Sequence, residues 1–93
     1  MNTLVVLTFK SVDALLENGG TGDWKLRRRN VERCEYAVCT RNRHDPRGIG
    51  GPEPHGAAFL VGKIADIVPA ATQGRLLVRF SHYALLDVPN TWD

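Results

Sequence analysis

This 93-residue chain has only two cysteines, one methionine and a net charge of +2. It also lacks any long apolar stretch. The longest such runs, 4–7 and 57–61, are strand-length, far below the ~20 residues that cross a bilayer. No basic region followed by an apolar stretch and a small-residue cleavage site opens the chain, so no export segment is expected. These absences point to a cytoplasmic protein with no membrane association. In that compartment Cys34 and Cys39 stay reduced.

Metal and cofactor motifs are equally sparse. Cys34, Cys39, His44 and His55 are spaced C-x4-C-x4-H-x10-H. Structural zinc sites use closer cysteines on a knuckle and histidines three to five apart. No metal site is therefore expected, and Cys39 reads as a small core residue. The glycines at 48, 50 and 51 fit neither the P-loop nor the dinucleotide fingerprint, so no cofactor is expected. The histidines His44 and His82, with Asp45 and Ser81 beside them, offer general bases without a spaced catalytic motif. Ser81 and His82, adjacent on one strand, are expected to point apart. No catalytic residue is assigned.

What is present is ordinary for one small globular domain. Hydrophobic residues make up 43% and charged residues 24% of the chain, values that oppose wholesale disorder. The charge is unevenly placed. Residues 24–47 hold Lys25, Arg27, Arg28, Arg29, Arg33, Arg41, Arg43 and Arg47 against three acids, whereas the flanking segments are slightly acidic. Arginine's planar fork suits phosphate and carboxylate, and its face stacks on rings.

The residue pattern predicts strands at 3–9, 24–29, 35–40, 57–68 and 75–80, where β-branched and apolar residues cluster. One helix is expected over 11–18, capped by Ser11 and stopped by Gly19 and Gly20. Gly62 inside the fourth strand suggests a bulge or barrel corner. Residues 81–86 read as one helical turn. Between 43 and 56, three prolines and four glycines in fourteen residues dictate an irregular loop, of a length that is usually functional or disordered. Phe59, Val61, Ile64, Val38 and Leu77 are the expected core. The fold class is α+β: a small, curled, mostly antiparallel sheet or β-barrel of about five to six strands with one N-terminal helix.

This order, and three stretches within it, resemble the PUA-like superfamily, which includes the ASCH and EVE domains. The G-x-K-x-x-E-x-R pattern of ASCH domains falls on Gly20, Gly22, Lys25 and Arg27. Its first glycine and final arginine match, while its lysine and glutamate positions hold Gly22 and Lys25. The stretches EYAVCTRN (35–42) and GAAFLVGKIADIV (56–68) are similar to the barrel strands that follow. The resemblance implies residues 1–93 form a single PUA-like domain. It also implies a cleft that accepts a flipped or modified base. The substituted lysine and glutamate disfavour an ASCH-type hydrolase. Such barrels often return to the sheet at their C-terminus, so the ending LDVPNTWD (86–93) reads as a short form lacking a final strand, or as one completed by a partner.

Two function classes follow. In the first, the chain is a nucleic-acid-binding module for RNA or a modified base. Trp24 supplies an aromatic platform, and Lys25, Arg27, Arg28, Arg29, Arg41, Arg43, His44 and Arg47 supply a basic cleft. In the second, the same basic surface docks an acidic protein partner. Tyr83, Leu85 and Trp92 read either as ordinary packing or as an apolar strip, through which the C-terminal segment would form a homodimer.

Overall fold

The computed structural model describes residues 2–91. Its elements are strand β1 (Asn2–Thr8), helix α1 (Val12–Asn18), strand β2 (Gly20–Trp24), helix α2 (Arg28–Glu32), and strands β3 (Cys34–Arg41), β4 (Ala58–Pro69) and β5 (Leu76–Val88). The five strands form one sheet in the order β1-β3-β4-β5-β2, curled into a half-barrel. The β3–β4, β4–β5 and β5–β2 pairs are antiparallel, whereas β1 and β3 run parallel. The sheet is thus mixed, and β1 and β2 are its two edges.

Helix α1 forms as its sequence predicts. The Ser11 hydroxyl accepts from the Ala14 N–H at 3.1 Å, satisfying one of the orphan donors of the first turn. Gly19 closes the helix in the left-handed conformation, with φ of 76°. Leu15 enters the core and is fully buried.

The core lies inside the curl. Val6, Leu15, Cys39, Phe59 and Leu60 form one cluster, with Trp24 and Phe80 packed against it. A second cluster of Val31, Ala37 and Val78 fills the end covered by α2. Phe59 is buried as expected, while Val38, Val61, Ile64 and Leu77 are only half-buried. Their outer faces look to solvent because the sheet is covered on one side only.

Three local expectations need correction. Residues 24–29 are not a strand: β2 ends at Trp24, and α2 begins at Arg28. The α2 turn swings Val31 into the core, where it is 1% exposed. Residues 81–86 are not helical but extend β5, because β4 offers them a hydrogen-bonding edge. Gly62 makes no bulge; it pairs in register with Ala37 and Tyr83. A Cβ there would strike the Phe80 ring, so the glycine makes room for an aromatic lid on the core. Among the described residues no helix is long and apolar enough to cross a membrane. Trp92 lies outside the described residues.

Candidate nucleic-acid interface

Arg41 ends β3 and is fully buried. Its Nε donates to Glu53 Oε1 at 2.8 Å. Its Nη1 donates to the Lys10 carbonyl at 2.7 Å and to the Thr8 carbonyl at 3.3 Å. The guanidinium lies 4.1 Å above the Phe59 ring, a cation–π contact strengthened by desolvation. Nη2 is buried without a hydrogen bond. Arg41 is therefore no wall of an open cleft, as the sequence suggested. It is a buried tie between β3, the end of β1 and the 42–57 loop.

The loop is built on that tie. Arg43 is exposed and spans it, its Nη1 donating to the Gly51 and Glu53 carbonyls at 3.2 and 3.3 Å. The Arg43 N–H donates to His55 Nδ1 at 3.1 Å, which sets His55 as an acceptor on that nitrogen. The His44 ring stacks on His55 with centroids 4.1 Å apart. Arg47 forks onto Asp45, with Nε–Oδ1 at 2.9 Å and Nη2–Oδ2 at 2.6 Å. That fork, with the Arg47 N–H bonded to the same carboxylate, lowers the Asp45 pKa from 3.8 to about 2. Arg47 also stacks over the Phe9 ring at 4.3 Å.

Arg27, Arg28 and Arg29 sit elsewhere, and Lys25 lies between them and Trp24 at the end of β2. All four are exposed. Arg28 Nη1 donates to the Ile67 carbonyl at 3.0 Å, which ties α2 to β4. Helix α2 leads into the start of β3, and the arginine-bearing loop leaves its end. Seven residue steps at about 3.3 Å place the two groups at strand ends about 23 Å apart. They do not form the two walls of one cleft.

Trp24 does face an opening, although it also packs against the core. Its indole N–H donates to Thr21 Oγ1 at 2.8 Å, which fixes the ring. A cavity of about 200 Å³ opens where the edge strands β1 and β2 approach each other. It is lined by Trp24, Phe9, Lys10, Asp45, Arg47 and Arg75. Lys10 also lines a cavity of about 320 Å³ toward the 70–72 turn and one of about 440 Å³ toward 48–50. Gly22 lines two of the three. Of the predicted site residues, the structure thus brings Trp24 and Arg47 together. It adds Phe9, Lys10 and Arg75, which sequence reasoning did not single out. The missing signal was the parallel pairing of β1 with β3, which carries Phe9 and Lys10 to the loop that follows Arg41.

Two further groups are present. Ser81 Oγ and His82 Nδ1 are 3.2 Å apart, closer than strand alternation suggested, because β5 bulges at Ser81, which the pairing with β4 skips. Both are exposed, and among the described residues no carboxylate bonds the imidazole to orient it. Cys34 and Cys39 lie at different heights of β3, and among the described residues no three metal-ligating side chains converge. Comparison with protein-family models, with curated proteins and with solved structures finds no match.

Proposed function

We propose that the chain is a PUA-like nucleic-acid-binding module that holds a single strand of RNA, or a modified base, in the cleft between β1 and β2. The observation that carries this reading is the lining itself. Lys10, Arg47 and Arg75 surround one opening with the ring-locked Trp24 and with Phe9. Single-strand sites combine cations that follow the phosphates with aromatic faces that take bases. Three cations against Asp45 leave the lining net positive, and Arg47, seated over the Phe9 ring and still largely exposed, offers a further face for stacking. The cavities continuing on either side of Lys10 give a strand a path past the base site. The family resemblance supports the same place, because Gly22 lies on β2 in the cleft lining. The substituted lysine and glutamate positions argue for binding rather than hydrolysis.

The test is the affinity of labelled single-stranded RNA and DNA oligonucleotides across a salt series. Lys10→Ala should lower the salt slope by about 0.7, the value of one single-strand phosphate contact. Trp24→Leu, which keeps apolar bulk, should weaken binding by about 1–3 kcal/mol at unchanged slope. The triple variant Arg27→Ala/Arg28→Ala/Arg29→Ala should retain the Trp24-dependent part. Wild-type binding no tighter than about 10⁻⁴ M would refute the proposal.

The separation of α2 from the cleft favours a second reading for that helix alone. Its exposed cations suit an acidic protein surface, and the triple variant would then lose such a partner while keeping oligonucleotide binding.

A further inference from the structure

Strand β5 is thirteen residues long, but only its first part has neighbours on both sides. Residues 76–79 pair with β2, and the Phe80 N–H donates to the Gly19 carbonyl at 2.8 Å. From Ser81 onward β4 alone lies beside it, and among the described residues no strand pairs with the other edge. Residues 81–88 are exposed apart from the half-buried Leu86. Four large hydrophobics stand out as exposed among the described residues, and three of them are here: Tyr83 at 53%, Leu85 at 63% and Val88 at 49%. Open edges are normally defended by lysine, proline or a bulge. β5 does bulge at Ser81 and again beyond Leu85, but the stretch between, HYALL (82–86), has no lysine, arginine, proline or glycine.

We infer that this edge pairs with the same edge of a second copy of the chain, antiparallel, about a two-fold axis at Ala84. The occupant follows from the strand's fit to itself. Facing residues in an antiparallel pair share a sheet face, so a two-fold axis must pass through a position that faces itself. Glycine 19 and β2 occupy the edge up to Phe80, which excludes centres earlier than Ala84 without shortening the pairing. Centred on Ala84, the stretch 82–86 between the two bulges pairs with itself. Tyr83 then faces Leu85 of the second copy, twice, an aromatic–aliphatic cross-strand pair of the stabilising kind. His82 faces Leu86 on the other sheet face. Asp87, the only carboxylate in the segment, lies beyond the paired stretch at opposite ends of the two copies, so no like charges meet. Centring on Leu85 instead would set the Asp87 carboxylate against the Tyr83 ring. Five residues per copy is fewer than the 20–30 of a standard interface, so the dimer belongs to the weak class, with a micromolar dissociation constant.

The experiment is sedimentation equilibrium of the full chain from about 1 to 300 µM, a range that brackets such a constant. The average mass should rise from one chain to two. Leu85→Lys and Tyr83→Lys, each at an exposed side chain, should remain one chain throughout while keeping the wild-type circular dichroism spectrum. Register is read separately. With Cys34→Ser as background, Ala84→Cys should form an intermolecular disulfide under mild oxidation, because facing Cβ atoms lie within about 5 Å. Leu86→Cys should not. A wild-type protein that stays one chain at the highest concentration would overturn the inference. So would a Leu85→Lys variant that still dimerises, or cross-linking at 86 in place of 84.

Discussion

Removing the Glu53 carboxylate should destabilise the fold by much more than an ordinary surface substitution. Arg41 has no exposed side-chain surface, and Glu53 is a quarter exposed. In Glu53→Ala the guanidinium keeps its bonds to the Thr8 and Lys10 carbonyls but loses its counter-charge and its Nε partner. Nη2 already lacks one. Breaking a buried pair by deleting one member costs about 3–5 kcal/mol. Water reaching the exposed side of Glu53 screens part of that, so about 2–3 kcal/mol is expected here. With a urea m-value of about 1 kcal/mol/M for a small domain, the midpoint should fall by about 2–3 M. The control is Arg41→Met, which removes the charge and leaves a thioether over the Phe59 ring. Adding Glu53→Ala to it should cost little, so the double variant should be more stable than the sum of the singles by about 2 kcal/mol. A midpoint shift below about 0.5 M for Glu53→Ala, or strict additivity in the cycle, would refute the buried-pair argument.

Three other outcomes follow from the packing. Phe59→Ala should cost about 3–5 kcal/mol by urea titration, since the ring is 2% exposed and carries the Arg41 guanidinium on its face. Gly62→Ala should cost about 1–3 kcal/mol by displacing Phe80, and Gly62→Ala/Phe80→Leu should recover part of that loss. The Cys39 thiol is pushed from 9.0 up to about 12 by burial, against the smaller lowering effects of Thr21 and Arg41. Because the folded value lies above the unfolded one, this contribution is intact below about pH 9 and is lost as pH rises from there toward 12, by up to about 1.4 kcal/mol per unit. The stability advantage of wild type over Cys39→Ala should shrink over that window. With a thiol reagent at neutral pH, Cys34 should react in the native protein and Cys39 only after unfolding.

The elements fixed by local chemistry were legible in the sequence. Strands expected at 3–9, 35–40 and 57–68 occur at 2–8, 34–41 and 58–69, because β-branched runs bounded by turn residues leave few alternatives. Helix α1 carried its own cap and stop. Residues 25–29 do not continue β2, although Trp24 and Leu26, two positions apart, mimic the period of a half-buried strand. The decisive residue was Val31, whose burial requires a helical turn. Residues 81–86 contain good helix formers, but β4 overrides that propensity with an edge to pair against. Arg41 was legible in principle. Ala37 and Cys39 share the core face of β3, and the same alternation carried one step further sets position 41 on the core side. A charged residue there reads as a surface group until its partner is seen, and Glu53 lies twelve residues away across an irregular loop. Phe9 and Lys10 were hidden for a similar reason, since a parallel pairing between distant strands leaves no local mark.

Arg41 connects the stability of the fold to the proposed site. Its Nη1 holds the Lys10 carbonyl, and its Nε holds the loop that carries Arg47 through Glu53. The buried guanidinium therefore sets where the chain leaves β1, and with it the position of the cation shared by all three cavities. Under the proposed function, Arg41→Met should weaken oligonucleotide binding without removing a phosphate contact. Affinity should fall severalfold while the salt slope stays within about 0.2 of wild type, against a loss of about 0.7 for Lys10→Ala. The comparison is made at a temperature where circular dichroism shows Arg41→Met still folded. A slope reduced as much as in Lys10→Ala would mean that Arg41 meets phosphate directly. It would then have to leave its buried position on binding, and the loop would have to open with it.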